Sequence, residues 1–369
     1  MENSVMDAHL RRLLDRGLID AGTARRARVL ARLLGKTNVS GEKVAAELGI
    51  SRAAVSKHVR AMIQAGLAIS ATPRLGYSLP EGVAADSLLP EVVIPRLLQA
   101  AEGPRPPRAD APLGIPYLYF SETDSTNDVL KDRAGSGLPD GAIAVAEAQR
   151  AGRGRLGRSW TSDPGKDLTF SLLLRPRMPS SLAQFTVIVA GLAVVAAVHA
   201  AAPELEDPVG IKWPNDVLVG GRKLCGVLTE ASIDMDAIHW VVIGVGLNVN
   251  GDFASILPKK WEAGRVEPIS LKEAAGRSFP RASLLSVILE ELAARLALLE
   301  AGDTESLLGE LASRDLLAER QVAIRLGVGP GDAVLEGVAA GFREDGALMV
   351  RTADGVHRPV LGGDVTLRR

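Results

Sequence analysis

The chain has 369 residues, of which 47% are hydrophobic and 24% are charged, and its net charge is -1. This length predicts two or three soluble domains, and the balanced charge gives no sign that the chain as a whole binds nucleic acid or an anionic membrane. The single cysteine, Cys225, excludes an internal disulfide and is typical of a reducing compartment. The first residues are charged, without the apolar segment of a secretory signal, so we expect a cytoplasmic protein.

The first part of the chain forms a basic module. Between residues 25 and 74 lie ten lysines or arginines and two acids, which gives this segment a charge of +8. Such an asymmetry within a neutral chain indicates a separate domain that faces an anionic partner. A preceding amphipathic helix, with Leu10, Leu13, Leu14 and Leu18 on one face, either extends this module or helps it to dimerise.

Two short helices in this module predict a helix-turn-helix. Ser40 can cap a helix that ends at Gly49, and Ser51 can cap a second helix from residue 52 to residue 64. We expect a hairpin around residues 73–76 to add the wing of a winged helix, and the second helix to enter the DNA major groove. The second helix has a predicted buried stripe of Val55, Val59, Met62 and Ile63. The predicted DNA contacts are Arg52, Ser56, Lys57, Arg60 and Arg74.

The rest of the chain divides by composition. We assign residues 1–82 to the winged helix-turn-helix with its helical extension, and residues 83–112, which are rich in proline, to a linker with one short helix. Residues 113–318 alternate strand-like and helix-like runs and predict a mixed α/β domain. Residues 319–369 contain four short strand-like runs with glycine turns, at 321–326, 333–342, 347–352 and 356–361, and predict a small β-barrel or sandwich. An apolar run at 185–202 is at the lower limit for a membrane span, so we expect a buried helix packed on the sheet.

Two segments of the α/β domain carry candidate binding groups. Ser125, Thr126 and Asn127 stand at the start of a predicted helix, where a serine can act simply as a cap. Residues 149–160, which we call the arginine loop, combine three glycines with four arginines after a strand. Glycines allow close approach of a ligand to the backbone, arginines bind carboxylates and phosphates, and Trp160 can stack on a base. The loop therefore predicts an anion site.

Two further segments follow. Lys212 precedes Trp-Pro, and because a proline restricts the residue before it, we expect a rigid segment that presents a fixed positive charge. Two buried strands are predicted around residues 223–230 and 241–250. Within the second, Gly244 and Gly246 suggest that a ligand approaches the backbone closely.

Taken together, these segments resemble the biotin protein ligase family. The resemblance rests on Ser-Thr-Asn, Gly-Arg-Gly-Arg-x-Gly, Lys-Trp-Pro-Asn-Asp, Lys-Leu-x-Gly-Val-Leu-x-Glu and Gly-x-Gly-Leu-Asn, in this order. The N-terminal Ser-Arg-Ala-Ala-Val-Ser-Lys-His and Gly-Tyr-Ser-Leu-Pro are similar to the bifunctional subgroup, the biotin operon repressors. The resemblance implies a class II synthetase-like ligase domain and an SH3-like C-terminal barrel.

The resemblance also implies roles for individual residues. Lys212 and Arg155 would be catalytic. Leu156 departs from relatives that carry a second consecutive arginine, which puts the affinity of the loop for phosphate in doubt. The biotin site would consist of Ser125, Thr126, Asn127, Gln149, Arg153, Gly154, Arg155 and Lys212. The nucleotide site would consist of Trp160, Asn215, Lys223 and Asn248.

The implied function is an ATP-dependent biotin ligase that acts through biotinyl-5'-AMP and also represses transcription. It would need ATP, Mg²⁺ and biotin, with no assigned metal ligands. Its partners would be a biotin carboxyl carrier domain, operator DNA and a second copy of the chain when the adenylate is bound, with no membrane. Three alternatives remain at this point: a lipoate or octanoate transferase-like enzyme, a ligand-sensing repressor with an inactive catalytic domain, and a ligase whose N-terminal domain no longer binds DNA.

Overall fold

The computed structural model describes residues 3–80, 86–100, 112–234, 237–256, 266–327 and 333–367. In its N-terminal module, an antiparallel sheet of order β1-β3-β2 packs beside four helices of the described part. The strand β1 was not predicted, because its four residues are mostly exposed and show no apolar alternation. The elements are α1 (Asn3–Asp15), α2 (Ala21–Leu33), β1 (Lys36–Val39), α3 (Gly41–Leu48), α4 (Arg52–Gln64), β2 (Ser70–Thr72) and β3 (Gly76–Leu79).

The helix-turn-helix forms for the local reasons that the sequence indicates. The hydroxyl of Ser40 accepts the N–H of Glu42, and that of Ser51 accepts the N–H of Ala54. The first of the two helices ends at Gly49, whose φ is 65°. Both predicted caps and the glycine end are therefore confirmed, and β2 with β3 forms the predicted hairpin.

The predicted apolar stripe of α4 is wrong at one position. Val55, Val59 and Met62 are buried, whereas Ile63 is 37% exposed. At 3.6 residues per turn, Ile63 lies about 80° around the helix from Val55. It therefore stands at the edge of the stripe, on the side that faces solvent.

The first helix extends the core of the N-terminal module. Leu10 and Leu13 are buried, and α1 packs on α2. Asp7 of α1 pairs with Arg32 of α2 at 2.8 Å, and the arginine side chain is 7% exposed. Of the two roles considered for this segment, extension of the module is therefore the one seen within a single chain.

A further helix, α5 (Pro90–Ala100), joins the N-terminal module to the central domain. It lies in the segment predicted as a linker, of which the structure describes residues 86–100 and 112. The helix packs on α2 and on a long helix of the central domain, α10 (Arg281–Glu300), with Val92 and Val93 fully buried. The two parts of the chain therefore share one continuous hydrophobic core.

The central domain is built on a seven-stranded mixed sheet. The strand order is β4-β5-β6-β10-β9-β8-β7, in which β4 and β5 are parallel and the other neighbours are antiparallel. The strands are β4 (Tyr117–Phe120), β5 (Ile143–Ala146), β6 (Leu168–Leu174), β7 (Val209–Lys212), β8 (Asp216–Val219), β9 (Arg222–Asp234) and β10 (Ala237–Leu247). The helices are α6 (Thr126–Ala134), α7 (Phe185–Ala201), α8 (Phe253–Ile256), α9 (Leu271–Ala275), α10 (Arg281–Glu300) and α11 (Thr304–Ser313).

The apolar run corresponds to α7 and packs inside the protein. A helical segment that includes it, Ser180–Ala201, is long and apolar enough to cross a membrane, and 67% of its apolar window is buried in the fold. The helix contacts α10 and the strands β7 and β9. It is thus the predicted helix that packs on the sheet.

The C-terminal domain is a five-stranded antiparallel sheet of order β14-β13-β12-β11-β15. Its core also receives Trp213 from the central domain, whose indole N–H donates to the carbonyl of Gly346 at 3.2 Å. Four of the five strands were predicted. The fifth, β15, is only four residues long and its burial does not alternate cleanly. The strands are β11 (Gln321–Arg325), β12 (Val334–Phe342), β13 (Leu348–Arg351), β14 (His357–Val360) and β15 (Asp364–Leu367).

Candidate active site

A pocket of about 660 Å³ lies between the central sheet, the arginine loop and the start of β15. All the residues predicted for the biotin and nucleotide sites line it. Five of the seven strands of the central sheet contribute residues to its walls, and so do the loops that follow β4 and β5. The sequence-predicted residues that it brings together are Ser125, Thr126, Asn127, Gln149, Arg153, Gly154, Arg155, Trp160, Lys212, Asn215, Lys223 and Asn248.

One wall holds uncharged polar groups at the start of α6. Ser125 is the N-cap residue, but its side chain makes no capping hydrogen bond, so the simple capping interpretation is not supported. The backbone N–H and the hydroxyl of Thr126 donate to Gln149 Oε1 at 2.8 and 3.0 Å. Thr126 Oγ1 also lies 2.7 Å from Ser171 Oγ, which donates to Asn127 Oδ1 at 2.5 Å. This buried network fixes three pocket side chains, and Ser171 was missed because a lone serine in a strand gives no signal.

A second network holds Asn127 from its other end. Its Nδ2 donates to Glu230 Oε2 at 2.9 Å. Glu230 also accepts from Lys131 at 2.8 Å and from Arg153 Nη2 at 2.8 Å, and the same arginine nitrogen lies 2.7 Å from Asp128 Oδ1. Burial alone would raise the pKa of Glu230, but the hydrogen bonds from Lys131 and Asn127 outweigh it and hold the pKa below its ordinary value. Arg153 thus pairs with two carboxylates, those of Asp128 and Glu230. Glu230 is the last residue of the Lys-Leu-x-Gly-Val-Leu-x-Glu motif, and the sequence indicated no role for it.

The tip of the arginine loop contacts the C-terminal domain. Arg155 Nη1 donates to Asn215 Oδ1 at 3.0 Å and to the carbonyl of Gly363 at 3.4 Å. Arg158 forms an ion pair with Asp364, at the start of β15. Sequence reasoning missed Asp364, because nothing in the sequence indicates that a C-terminal strand folds back over this loop. The C-terminal domain therefore closes one side of the pocket.

A buried lysine, Lys212, also lines the pocket. It ends β7 and is 9% exposed. Among the residues that the structure describes, its ammonium has no hydrogen-bond or ion-pair partner. Burial lowers the pKa of Lys212, while the nearby carboxylate of Asp216 opposes this shift. A buried and unpaired ammonium is costly, so this position favours an anionic ligand.

Another part of the pocket wall is aromatic and lies on glycines. The ring of Trp160 covers Gly246 and Gly226, and the Lys223 ammonium lies 5.6 Å from the ring centroid. Lys223 also pairs with Asp216 at 2.7 Å. The indole N–H of Trp160 is buried without a partner among the described residues.

At Gly244 and Gly246, the close approaches that the structure shows come from side chains of the protein, and approach of a ligand there stays a prediction. A β-carbon at Gly244 would overlap the side-chain amide of Asn127, and one at Gly246 would overlap the indole of Trp160. Glycine is required at both positions because side chains of the pocket itself lie against the strand. The sequence signal was real, but the close neighbours belong to the protein.

Two predicted nucleotide residues also have structural partners. Asn215 Nδ2 donates to the carbonyl of Val227 at 3.0 Å. Asn248 is 1% exposed, and its Nδ2 donates to the carbonyls of Lys223 and Ile269, both at 3.2 Å. The Oδ1 of Asn248 is buried with no partner in the described part of the chain. It therefore offers an acceptor to a ligand group.

The arrangement suits an elongated ligand with three chemically distinct parts. Neutral donors and acceptors at the start of α6, the cations of β7 and the arginine loop, and an indole that lies on glycines all line one space. Such a site can hold an uncharged polar head, a central anion and a planar base. The thiol of Cys225 is fully buried, which raises its pKa, so it is not a nucleophile for this chemistry.

The predicted DNA contacts lie apart from this pocket, on α4 and the wing. Lys57 and Arg60 are exposed. Arg52 pairs with Glu42 at 3.5 Å across two exposed side chains, a weak interaction that an anionic partner can replace. Ser56 accepts from Arg60 at 3.3 Å. Arg74, at the wing tip, has a φ of 68°.

Comparisons with known proteins identify the family. Three family models match: the biotin/lipoate A/B protein ligase family at residues 119–248, an HTH domain at 25–78 and the biotin protein ligase C-terminal domain at 319–368. The bifunctional ligase/repressor BirA of Escherichia coli is 31% identical over 331 residues, which cover 89% of this chain and 92% of the relative. BirA of Bacillus subtilis is 30% identical over 349 residues, which cover 90% and 95%.

Among solved structures, the biotin protein ligase of Aquifex aeolicus in complex with biotin and ATP superposes with a TM-score of 0.56 at 29% identity. The match covers 68% of this chain and 98% of that structure. The three matched regions occur together in one chain, in the order HTH domain, ligase domain and C-terminal domain. The chain belongs to the family of bifunctional biotin protein ligases and repressors.

Proposed function

We propose that the protein is an ATP-dependent biotin–[biotin carboxyl carrier protein] ligase, a biotin–[acetyl-CoA-carboxylase] ligase, which acts through biotinyl-5'-AMP. The observation that carries the proposal is the buried, unpaired ammonium of Lys212 in one pocket with the arginine loop. Relatives with this domain order are named ligase/repressors, and the matched solved structure contains biotin and ATP.

In the first step, a biotin carboxylate oxygen attacks the α-phosphorus of ATP, and pyrophosphate leaves. The reaction brings two anions together in a site that is partly shielded from water, where their repulsion is strong. Lys212 would bind the carboxylate and an α-phosphate oxygen, and Arg155, which borders the same space, would stabilise the charge that develops on phosphorus. Because both cations are held before substrate arrives, little reorganisation is required.

Biotin would lie along the wall formed by α6. Its uncharged ring would bind Ser125, Thr126, Asn127 and Gln149. Of these, Thr126 and Asn127 already contact Ser171, and Asn127 also contacts Glu230. Arg153 and Gly154 would close over it. Since Arg153 is paired with Asp128 and Glu230 in the structure, contact with the ligand phosphate would require it to exchange at least one carboxylate for the phosphate.

The nucleotide would occupy the indole side of the pocket. Trp160 would cover the adenine, Lys223 and Asn215 would border the ribose and phosphates, and the unpaired Oδ1 of Asn248 would accept from the ligand.

Mg²⁺ would enter with ATP. Among the described residues, no cluster of three or more His, Cys, Asp or Glu side chains is suited to a metal ion. The carboxylates that line the described part of the pocket are Asp216 and Asp364, and both are already paired with cations. This donor set fits an ion held largely by phosphate oxygens and water, with one of these carboxylates at its edge, and the bound ion would neutralise phosphate charge.

In the second step, the neutral amine of a carrier lysine attacks the acyl carbonyl of the adenylate, an amide forms, and AMP leaves with the loss of a proton. The adenylate is an activated acyl phosphate and is easily hydrolysed. The arginine loop and the start of β15, which meet through Arg158 and Asp364, would keep water from it until the carrier docks.

The N-terminal module would couple this chemistry to transcription in the cytoplasm. Arg52, Ser56, Lys57 and Arg60 would face the major groove, with Arg74 of the wing beside it. Adenylate binding would favour a homodimer whose two winged helices match a two-fold operator. Consumption of the adenylate by carrier domains would then lift repression.

The direct test is transfer of labelled biotin to a biotin carboxyl carrier domain in the presence of ATP and Mg²⁺. We expect transfer by the wild type and a loss of about a hundredfold or more in Lys212→Ala, as for removal of a group that stabilises a transition-state anion. Lys272→Ala, which removes an exposed lysine of the same domain, is the matched control.

The acyl donor and the DNA are varied in the same assay series. Transfer of lipoate or octanoate in preference to biotin would contradict the assigned substrate. If folded wild type transfers none of these acids, the ligase proposal is wrong and a ligand-sensing repressor replaces it. Equal operator affinity with and without biotin and ATP would contradict the regulatory part alone.

A further inference from the structure

A single arginine lies where three segments of the chain meet. Arg281, the first residue of α10, is 4% exposed. Its Nη1 donates to Glu147 Oε2 at 2.6 Å and to the carbonyl of Asp167 at 3.2 Å. Its Nε and its backbone N–H donate to Asp86 Oδ1 at 3.1 and 3.2 Å, and its Nη2 donates to the carbonyl of Asp86 at 2.9 Å. These charge-assisted bonds hold the planar guanidinium in one orientation.

Two of the residues that Arg281 contacts, Glu147 and Asp167, lie in the segments that flank the arginine loop, which we call its stems. Glu147 precedes the pocket residue Gln149 by two positions, and Asp167 stands immediately before β6 on the other side of the loop. The stems also meet each other, because the N–H of Gly165 donates to the carbonyl of Glu147 at 3.1 Å. Arg281 therefore sets the separation of the two ends from which the loop projects over the pocket.

The third contact is the connection to the N-terminal module. Asp86 precedes α5, and the carbonyl of Leu88 accepts the Tyr117 hydroxyl at 2.7 Å. On α5 itself, Glu91 accepts from Arg26 of α2 at 2.9 Å, and the carboxylate side chain is 3% exposed. The winged helix is therefore attached to α5 by a buried ion pair, and the segment leading into α5 is attached to the loop stems by Arg281.

We propose that Arg281 is a positioning residue that fixes both stems of the arginine loop and ties them to the connector of the winged helix. Ordering of the loop around the adenylate then restrains Asp86, α5 and α2. This inference rests on the proposed ligase function, and it assigns the contact through which occupancy of the pocket reaches the N-terminal module.

The positioning role is tested by adenylate formation, measured as pyrophosphate release, in Arg281→Lys and Glu147→Gln. Neither variant can reproduce the charged, branched contacts, so the loop loses its set position. We expect KM for biotin to rise about tenfold while kcat changes much less, since a displaced loop loses ligand binding first. Folded variants with unchanged KM and only a lower Tm would assign Arg281 a purely structural role and overturn the proposal.

The proposed link between the arginine loop and α5 is tested by hydrogen–deuterium exchange of the full chain with and without biotin and ATP. In the wild type we expect ligand to slow exchange in residues 153–160 and also in residues 88–98. Asp86→Ala removes a half-exposed carboxylate, so it should keep the protection of the loop and lose that of α5. Glu204→Ala breaks an exposed ion pair with Arg277 elsewhere in the same domain and is the matched control.

The outcomes separate the two proposals. Protection of the loop without protection of α5 in the wild type overturns the connection and leaves the ligase intact. Protection of α5 that persists in Asp86→Ala also overturns it. Absence of loop protection by biotin and ATP in the wild type contradicts the proposed function itself.

Discussion

The indole of Trp160 occupies the space that a β-carbon at Gly246 would need. On the neighbouring strand, a β-carbon at Gly226 would lie 3.0 Å from the same ring. Two neighbouring strands thus carry glycine at the places where the tryptophan lies across them. The face that Trp160 offers to a base is therefore set by two residues without side chains, and its position depends on both.

Gly246→Ala should displace Trp160 and weaken nucleotide binding. We expect KM for ATP to rise about tenfold or more, because base stacking on an aromatic ring contributes about 1–3 kcal/mol. KM for biotin should change less, since the side chain that a β-carbon at Gly246 would displace is Trp160, whereas Asn127 lies against Gly244. Gly309→Ala is the control, because its β-carbon meets no atom within 4 Å. Equal KM values for ATP in wild type and Gly246→Ala would show that Trp160 does not bind the base.

Ser171→Ala should lower both stability and biotin affinity. The hydroxyl of Ser171 is fully buried and contacts Thr126 and Asn127, so its removal leaves their polar atoms unsatisfied. We expect a loss of about 1–3 kcal/mol in the free energy of unfolding, measured in urea, and a higher Kd for biotin by calorimetry. Thr169→Val, two residues along the strand, removes a bond to the Ala146 carbonyl instead. It should cost stability without changing the Kd, and a similar Kd change in both variants would contradict the assigned network.

The pH dependence of catalysis should show the lowered pKa of Lys212. Burial favours the neutral amine, so the positive charge is present below the lowered pKa and is lost as the pH rises through it. The profile of kcat/KM for biotin against pH reports on the free enzyme. The apparent pKa of its alkaline limb should therefore lie below the ordinary lysine value of 10.5. Lys212→Arg stays charged, so its limb should move to higher pH at a lower overall rate. Identical limbs in the two proteins would assign the transition to another group.

Leu156→Arg should strengthen phosphate binding by the arginine loop. Leu156 has a φ of 58° and is 41% exposed at the edge of the pocket. An arginine adopts the same backbone at a similar cost, so the substitution chiefly adds one charge. We expect KM for ATP to fall about threefold at low salt, with the gain disappearing as ionic strength rises. Leu156→Gln, which has a polar side chain without the charge, separates electrostatics from shape, and an equal gain in that variant would contradict the explanation.

Lys57→Ala should weaken DNA binding in a salt-dependent way. An exposed lysine of the recognition helix that contacts a phosphate contributes about one unit to the slope of log affinity against log salt. We expect weaker binding and a slope reduced by that amount, measured by fluorescence anisotropy on a labelled duplex. Lys272→Ala, an exposed lysine of the central domain, should change neither. If Lys57→Ala binds with an unchanged slope, α4 does not face the DNA backbone at this position.

Local sequence signals predicted much of the fold. The caps Ser40 and Ser51 and the left-handed Gly49 act within a few residues of themselves, and the continuous apolar composition of α7 is also a local signal. Ile63 was placed wrongly, because a stripe edge depends on what packs against it. The short β1 and β15 were missed, because pairing with distant strands fixes them.

The candidate site likewise contains residues that the sequence predicts and residues that it does not. The predicted residues all lie in short motifs and do line one pocket. Ser171, Glu230 and Asp364 come from β6, β9 and β15, and their contacts with Asn127, Arg153 and Arg158 depend on how the sheets meet. The sequence alone does not indicate contacts between residues that lie so far apart in the chain. The glycines at 244 and 246 indicated close approach, but the sequence did not reveal whether a ligand or a side chain approaches.

The packing of Trp213, which follows Lys212 in the chain, limits how far the C-terminus of this protein can be truncated. Lys212 lines the pocket while the next residue, Trp213, is 2% exposed in the core of the C-terminal domain. A truncation that removed everything after residue 318 would leave this indole in water and free the strand end that carries the ammonium. Loss of the C-terminal domain would thus displace Lys212 through its neighbour Trp213 and impair catalysis. A ligase of this kind without that domain would need another element of structure to bury the indole.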